Sequence, residues 1–393
     1  MEPSQNNDST AISEDEIALY DRQIRLWGLQ AQEKIRKASI LLLTLRALGT
    51  EIAKNLVLAG ISSLTILDSA PVSAADLGAQ FFLSSQQSEL PQDESAIGKN
   101  RAIVAAPAIQ KLNPRVAVRV DEEADLEKKG DAFFAQFDVI IATDLDTDAL
   151  ERVNDAARRV GKPFYAAGVG GMYGFIFADL GPHHEYVIQR DAGNLATKTG
   201  PETPTRSVLS VRTKKEGPRI VESVTKRELY SPFQTSCLSA KLPQEYTKSK
   251  RRLRGVTPVL SCLRALWSFS SPSETATTTT TENGTTARRL PRQDNREDLA
   301  AFTQLAMAKH AELGLPPETL TPEVIRRFLQ GVGCEIAPVT AVLGGQLAQD
   351  VINVLGRTQQ PVQNVVVFDG DKMEAQMYAL HPEADVDGAN GGA

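Results

Sequence analysis

Ser39-Ile40-Leu41-Leu42-Leu43-Thr44-Leu45-Arg46-Ala47-Leu48-Gly49, continued to Gly60 and then to Leu64-Thr65-Ile66-Leu67-Asp68, decides the fold. The run from Ser39 to Thr44 is apolar without alternation, the pattern of a strand covered on both faces. From Gly49 the apolar residues Ile52, Leu56 and Ala59 recur at helical spacing, and Gly60 ends the pattern. Leu64–Asp68 reads as a second strand. Strand, helix and strand form one β-α-β unit, whose crossover is expected to be right-handed.

The alternation extends outward from this unit. Upstream, Ser13 is placed to cap a helix, with Glu14, Asp15 and Glu16 at its positive end and Ile17, Tyr20, Ile24 and Trp27 along one side. Downstream come a helix over about 98–112, a strand over 116–120, a buried strand over 137–142, a helix over 147–160 and a strand over 162–167. The pattern predicts a doubly wound, mostly parallel, Rossmann-like α/β sheet with a partly disordered insertion. Residues 1–13 are expected to be a disordered start, 14–185 the first part of the sheet domain, 186–330 the insertion, 331–383 the closing part and 384–393 a flexible tail. Within the insertion, 189–206 and 270–297 read as linkers, the second with five threonines in a row, Thr277–Thr281, and between them Val256, Val259, Leu260, Leu263, Leu266 and Trp267 read as a short amphipathic helix. A helix over 339–355 carries Gly344 and Gly345, which implies close packing on a sheet, and 364–369 reads as the final strand.

The bulk numbers set limits. A length of 393 residues suits one large domain with an insertion, and 41% hydrophobic residues supply a core. A net charge of −6 gives no sign of nucleic-acid binding. No stretch approaches the roughly 20 apolar residues that span a membrane. Cys237, Cys262 and Cys334 have no C-x-x-C spacing, so neither a disulfide framework nor a cysteine-built zinc site is expected.

Several segments resemble the ubiquitin-like-modifier activating enzymes: Tyr20-Asp21-Arg22-Gln23-Ile24-Arg25-Leu26-Trp27-Gly28, Lys54–Gly60, Asp76–Phe81, Gly98–Ala102, Leu112-Asn113-Pro114, Pro338–Gln349 and Phe368-Asp369-Gly370. The likeness covers roughly 13–185 and 325–380. It implies adenylation chemistry: ATP and the modifier's C-terminal glycine give an acyl-adenylate, and an enzyme cysteine then takes the acyl group. Such chemistry needs phosphate-facing glycines, cations, an acidic magnesium ligand and a thiolate.

Tested against those needs, this chain falls short. The family's G-x-G-x-x-G loop is degraded here to Thr44-Leu45-Arg46-Ala47-Leu48-Gly49, and side chains at Thr44 and Ala47 would crowd a phosphate. Asp76–Gln80 lacks the family's ATP-facing arginine, and Arg101 stands where a lysine is expected. Asp144 and Asp146 flank the magnesium position, which aligns with Leu145. None of the three cysteines matches the family's catalytic segment, and all three read as buried. One functional residue is retained: the resemblance implies that Arg22 contacts ATP held by a partner subunit, in the manner of an arginine finger.

Taken together, the resemblance implies a supporting subunit with no catalytic residue or metal site of its own. The partner, a catalytic subunit, would bind ATP and Mg, and the modifier would be engaged through the complex. The Asp76–Phe81 segment resembles the SUMO-type subunit more than the NEDD8-type one, and the degraded loop argues against a self-sufficient MoeB/ThiF-like homodimer. The Tyr246/Lys250 pair mimics a short-chain dehydrogenase motif but sits in a basic segment far from the first β-α-β unit. The run Lys248–Arg254 suggests nuclear import, so a nuclear location, with the cytoplasm as a second, is expected.

Overall fold

A computed structural model of the chain describes residues 12–83, 95–123, 125–193, 197–269 and 290–382. Most of the expected disordered start, the threonine-rich segment and the tail lie outside those residues.

At the N-terminal end, Ser13 forms a capping box on α1 (Glu14–Leu19). Its Oγ accepts from the Glu16 N–H at 3.3 Å, and its own N–H donates to the Glu16 carboxylate at 3.1 Å. The helical spacing continues, but through three short pieces: α1, α2 (Asp21–Trp27) and α3 (Leu29–Ile35). Tyr20 breaks the first join, and Gly28, at φ 87°, breaks the second. Ser13→Ala is expected to cost about 1 kcal/mol, read as a lower urea midpoint; an unchanged midpoint would show that Arg36 and Arg115, which also hold Glu16, secure the helix without the cap.

Eight strands form the main sheet: β1 (Ser39–Leu43), β2 (Ser63–Leu67), β3 (Ala117–Asp121), β4 (Val139–Thr143), β5 (Phe164–Gly170), β6 (Tyr173–Asp179), β11 (Asn364–Asp369) and β12 (Glu374–Tyr378). A second, antiparallel sheet holds β7 (His184–Asp191), β8 (Gly200–Thr203), β9 (Arg206–Glu216) and β10 (Arg219–Glu228). The main order is β12-β11-β6-β5-β4-β1-β2-β3. Pairing is parallel from β3 through β5 and antiparallel from β5 through β12. The sheet is thus doubly wound and mostly parallel over its first-formed half, with an antiparallel half that the strand pattern missed. β11 is not the final strand, because β12 follows it.

Both faces of β1 are covered. Ile40 and Leu42 join one core with Ile52 and Leu56 of α4 (Ala47–Ala59) and with Leu347 and Val351 of the helix Ala337–Gly356. Leu41 and Leu43 join the other, with Phe164, Phe177, Trp267, Phe302 and Phe328. This second core draws on parts of 186–330 outside the two stretches read as linkers, and 270–289 lie outside the described residues. Its helices Val259–Ser268, Arg296–Glu312 and Pro322–Gly331 form the layer that covers that face. Parts of the stretch 189–206 are strand rather than linker: 189–191 end β7, 200–203 form β8 and 206 opens β9, while 194–196 lie outside the described residues; its Gly, Thr and Pro content disguised short edge strands. Gly344 packs against a helix, not the sheet: a Cβ there would lie 2.6 Å from Glu51 Cβ.

The two sheets meet over buried polar groups. His184 stacks on Tyr186, its Nε2 is buried without a partner, and burial, followed by the nearby Arg357, pushes its pKa down to about 4. A histidine held below its unfolded value of about 6.5 stabilises the fold above that pH and loses the contribution as pH falls toward 4. The stability of the native chain relative to His184→Gln is therefore expected to fall between pH 6.5 and 4.5. Urea titrations across that range check it, and a constant difference would contradict the shift.

Candidate functional site

In an open α/β sheet, ligands bind beyond the carboxyl ends of strands where the strand order reverses. Here β1 pairs with β2 on one side and β4 on the other, so the crevice lies beyond Leu43 and Thr143. Thr44 leaves β1 at φ 71° and Asp144 leaves β4 at φ 53°, conformations that are uncommon for residues other than glycine. Thr143 Oγ1 ties the two ends together, donating to the Thr44 carbonyl at 3.0 Å. A Cβ on Gly49 would run into that same carbonyl oxygen. The loop's surviving glycine thus serves close packing of α4 on the turn.

The N-terminus of α4, with its partial positive charge and free N–H groups, is where a phosphate would bind. That position is occupied by the chain's own Glu335. Its Oε1 accepts from the Leu48 N–H at 3.1 Å, and its Oε2 meets Arg46 Nε at 3.3 Å. Arg46 also donates to the Gly333 carbonyl at 3.4 Å. The Glu335 side chain is only 5% exposed.

Beside it lies a buried network that absorbs the remaining polar residues. Asp68 accepts from the Leu45 N–H at 2.7 Å and pairs with Arg101 at 2.8 Å, and Arg101 also pairs with Asp76 at 3.0 Å. Burial opposes ionisation of Asp76, but its two Ser73 hydrogen bonds and Arg101 outweigh it and hold the carboxyl below its ordinary range. Gln80 donates to the Leu45 carbonyl at 2.7 Å. Arg101 and Asp68 are therefore committed to each other.

Asp144 lies at the crevice, its pKa pushed up to about 7 by burial and then by the negative charge of Glu335, against Arg46. Asp146 instead caps the helix Thr147–Arg159 through the Ala149 N–H. Among the described residues, no group of three or more His, Cys, Asp or Glu is arranged to hold a metal ion. Burial pushes the Cys237 thiol well up and the Cys262 thiol up to about 12, which disfavours the thiolate a nucleophile needs. Cys334 corrects the expectation of burial for all three: it is exposed, on the loop leading to Glu335.

Arg22 lies away from this network, exposed on α2 and with no hydrogen bond or ion pair among the described residues. Its neighbour Arg25 is tied to Asp21 at 3.0 Å. The segment carrying Arg22 is held firmly. The Tyr20 ring packs on Gly60, Asn113 donates to the Tyr20 hydroxyl at 2.8 Å, and Trp27 Nε1 donates to Gln32 at 2.8 Å.

Thr44, Arg46, Ala47 and Gly49 are thus brought together at the switch point, while Arg22 belongs to a separate surface. Glu335 was missed by sequence reasoning. It stands 289 residues from Arg46 in the chain (335 − 46), and no local spacing rule links them.

These features define a doubly wound α/β fold of the nucleotide-binding kind, whose phosphate position is filled by its own carboxylate. The chain belongs to the ThiF family, whose model matches residues 20–387. It is 33% identical over 372 residues to the DNA damage tolerance protein RHC31 of Saccharomyces cerevisiae, covering 93% of this chain and 97% of that one. It is 34% identical over 376 residues to the human SUMO-activating enzyme subunit 1, covering 95% and 97%. The structure of Escherichia coli MccB with succinimide aligns over 93% of this chain and 72% of that one at 14% identity, with a TM-score of 0.47. Among the described residues no helix is long and apolar enough to cross a membrane.

Proposed function

We propose that this chain is the supporting, non-catalytic subunit of a heterodimeric SUMO-activating enzyme. In this reading the catalytic partner holds ATP and Mg, adenylates the SUMO C-terminal glycine and carries the cysteine that takes the acyl group. This chain supplies the fold against which the partner assembles, and Arg22 reaches the partner's ATP. The observation that carries the reading is Glu335 on the α4 N-terminus: a site closed by an internal carboxylate repels polyphosphate. The likeness to the SUMO-activating subunits supports the choice of modifier. A nuclear location goes with it, on the exposed basic residues Lys248, Lys250, Arg251, Arg252 and Arg254.

ATP–pyrophosphate exchange tests the proposal. The isolated chain is expected to give no exchange above background, and full exchange is expected when it is combined with a catalytic partner that co-elutes with it. Robust exchange by the chain alone would overturn the assignment.

A further inference from the structure

α2, the helix that carries Arg22, fully buries none of its seven residues. Its direction is therefore set by what grips its two ends. At the first end the Tyr20 ring packs on Gly60, and its hydroxyl accepts from Asn113 Nδ2 at 2.8 Å. At the second end Trp27 Nε1 donates to Gln32 Oε1 at 2.8 Å, the turn at Gly28 having folded α3 back to bring Gln32 within reach.

The two amides grip the same helix on their other side. Asn113 Nδ2 also donates to the Val57 carbonyl at 3.0 Å, and Gln32 Nε2 donates to the Ala59 carbonyl at 3.0 Å. Both carbonyls belong to the last turn of α4, where backbone oxygens lack the helix's own i+4 donors. Asn113 is 6% exposed and Gln32 is 1% exposed, so water does not compete for these bonds. Each amide thus ties one end of α2 to one helical turn. A single tie would leave α2 free to swing about it, and two ties fix its direction.

This inference rests on the supporting-subunit reading, in which Arg22 reaches the partner's ATP. We propose that Asn113 and Gln32 are positioning residues for that step: they clamp α2 to the end of α4 at two points and so set where the Arg22 guanidinium lies when the partner's phosphates react. A cation assists transfer only when its donors meet the charge that develops, and a displacement of about 1 Å costs much of the rate. A purely structural role, capping α4, predicts lower stability and exchange that simply follows the amount of intact heterodimer.

Two substitutions separate these roles. Tyr20→Phe deletes only the hydroxyl and leaves the ring on Gly60 and the Asn113 bond to Val57. Gln32→Met keeps a side chain of similar length and deletes both amide bonds. Each is made in the full chain, combined with the catalytic partner, and followed by ATP–pyrophosphate exchange per assembled heterodimer. Each is expected to slow exchange about fivefold, the scale of one lost hydrogen bond. Introduced into Arg22→Ala, the same substitutions are expected to change exchange less than about twofold, because they act through the missing guanidinium. Normal exchange in either variant, or equal slowing with and without Arg22, would overturn the positioning role and leave the supporting-subunit reading standing. Normal exchange in Arg22→Ala itself would show that reading to be at fault, and the positioning role would fall with it. If Gln32→Met fails to assemble, Tyr20→Phe decides the matter alone.

Discussion

Replacing Arg22 by alanine in the proposed heterodimer is expected to slow ATP–pyrophosphate exchange by on the order of a hundredfold, with little change in subunit affinity. A cation placed against a phosphate during transfer is worth a few kcal/mol of barrier, and the surroundings of Arg22 suit that use. The helix that carries it is locked by Tyr20 on Gly60 and by Asn113 on the Tyr20 hydroxyl, so the guanidinium leaves a fixed base. Tethering of the N-terminal helices falls to other pairs, such as Glu16 with Arg36 at 2.9 Å. Arg22→Lys is expected to restore activity only in part, because a point charge cannot reproduce the planar fork. Arg25→Ala is the control: it removes an exposed pair with Asp21 and is expected to leave exchange near normal. Unchanged kinetics in an intact Arg22→Ala heterodimer would remove the catalytic contribution assigned to this chain.

Glu335→Ala is expected to destabilise the chain by about 2–4 kcal/mol, because it leaves both Arg46 and the Leu48 N–H without their partner. The lower part of that range applies to the Arg46 contribution, since its side chain is 30% exposed and water replaces some of the lost interaction. Glu335→Gln keeps an acceptor for Leu48 but loses the charge, so it is expected to fall between Glu335→Ala and the native chain. Combining Glu335→Ala with Arg46→Ala is expected to cost less than the sum of the two single changes. Urea unfolding measures all four variants. A loss below about 0.5 kcal/mol for Glu335→Ala would show that the contact does not hold the loop.

The parallel half of the sheet was legible because strands buried on both faces write themselves as unbroken apolar runs, as in Ser39–Leu43 and Val139–Thr143. The antiparallel half was harder to read. β6 follows β5 after only two residues, Gly171 and Met172, and β12 is largely exposed and carries no apolar alternation. The insertion was legible only in part, its helix Val259–Ser268 following the helical spacing of Val259, Leu260, Leu263 and Trp267. Its helices cover the sheet through residues scattered from Phe233 to Phe328, and no local period reports a core assembled from such distant pieces. At the site, the loss of glycines at Thr44 and Arg46 was visible in order along the chain. What replaced the phosphate was not, because Glu335 reaches Leu48 only after the chain has folded back on itself.

The placement of β11 constrains how the molecule is made. It lies between β6 and β12 and is paired along its length with both, yet it is encoded near the end of the chain. While the ribosome is still adding residues, Tyr173–Asp179 has no neighbour on its outer side. The contact is closed only when residue 369 has left the exit tunnel, and long-range pairings of this kind form slowly. A premature stop anywhere in the last strands would therefore release a chain with an open sheet edge, the kind of surface that recruits other copies into aggregates.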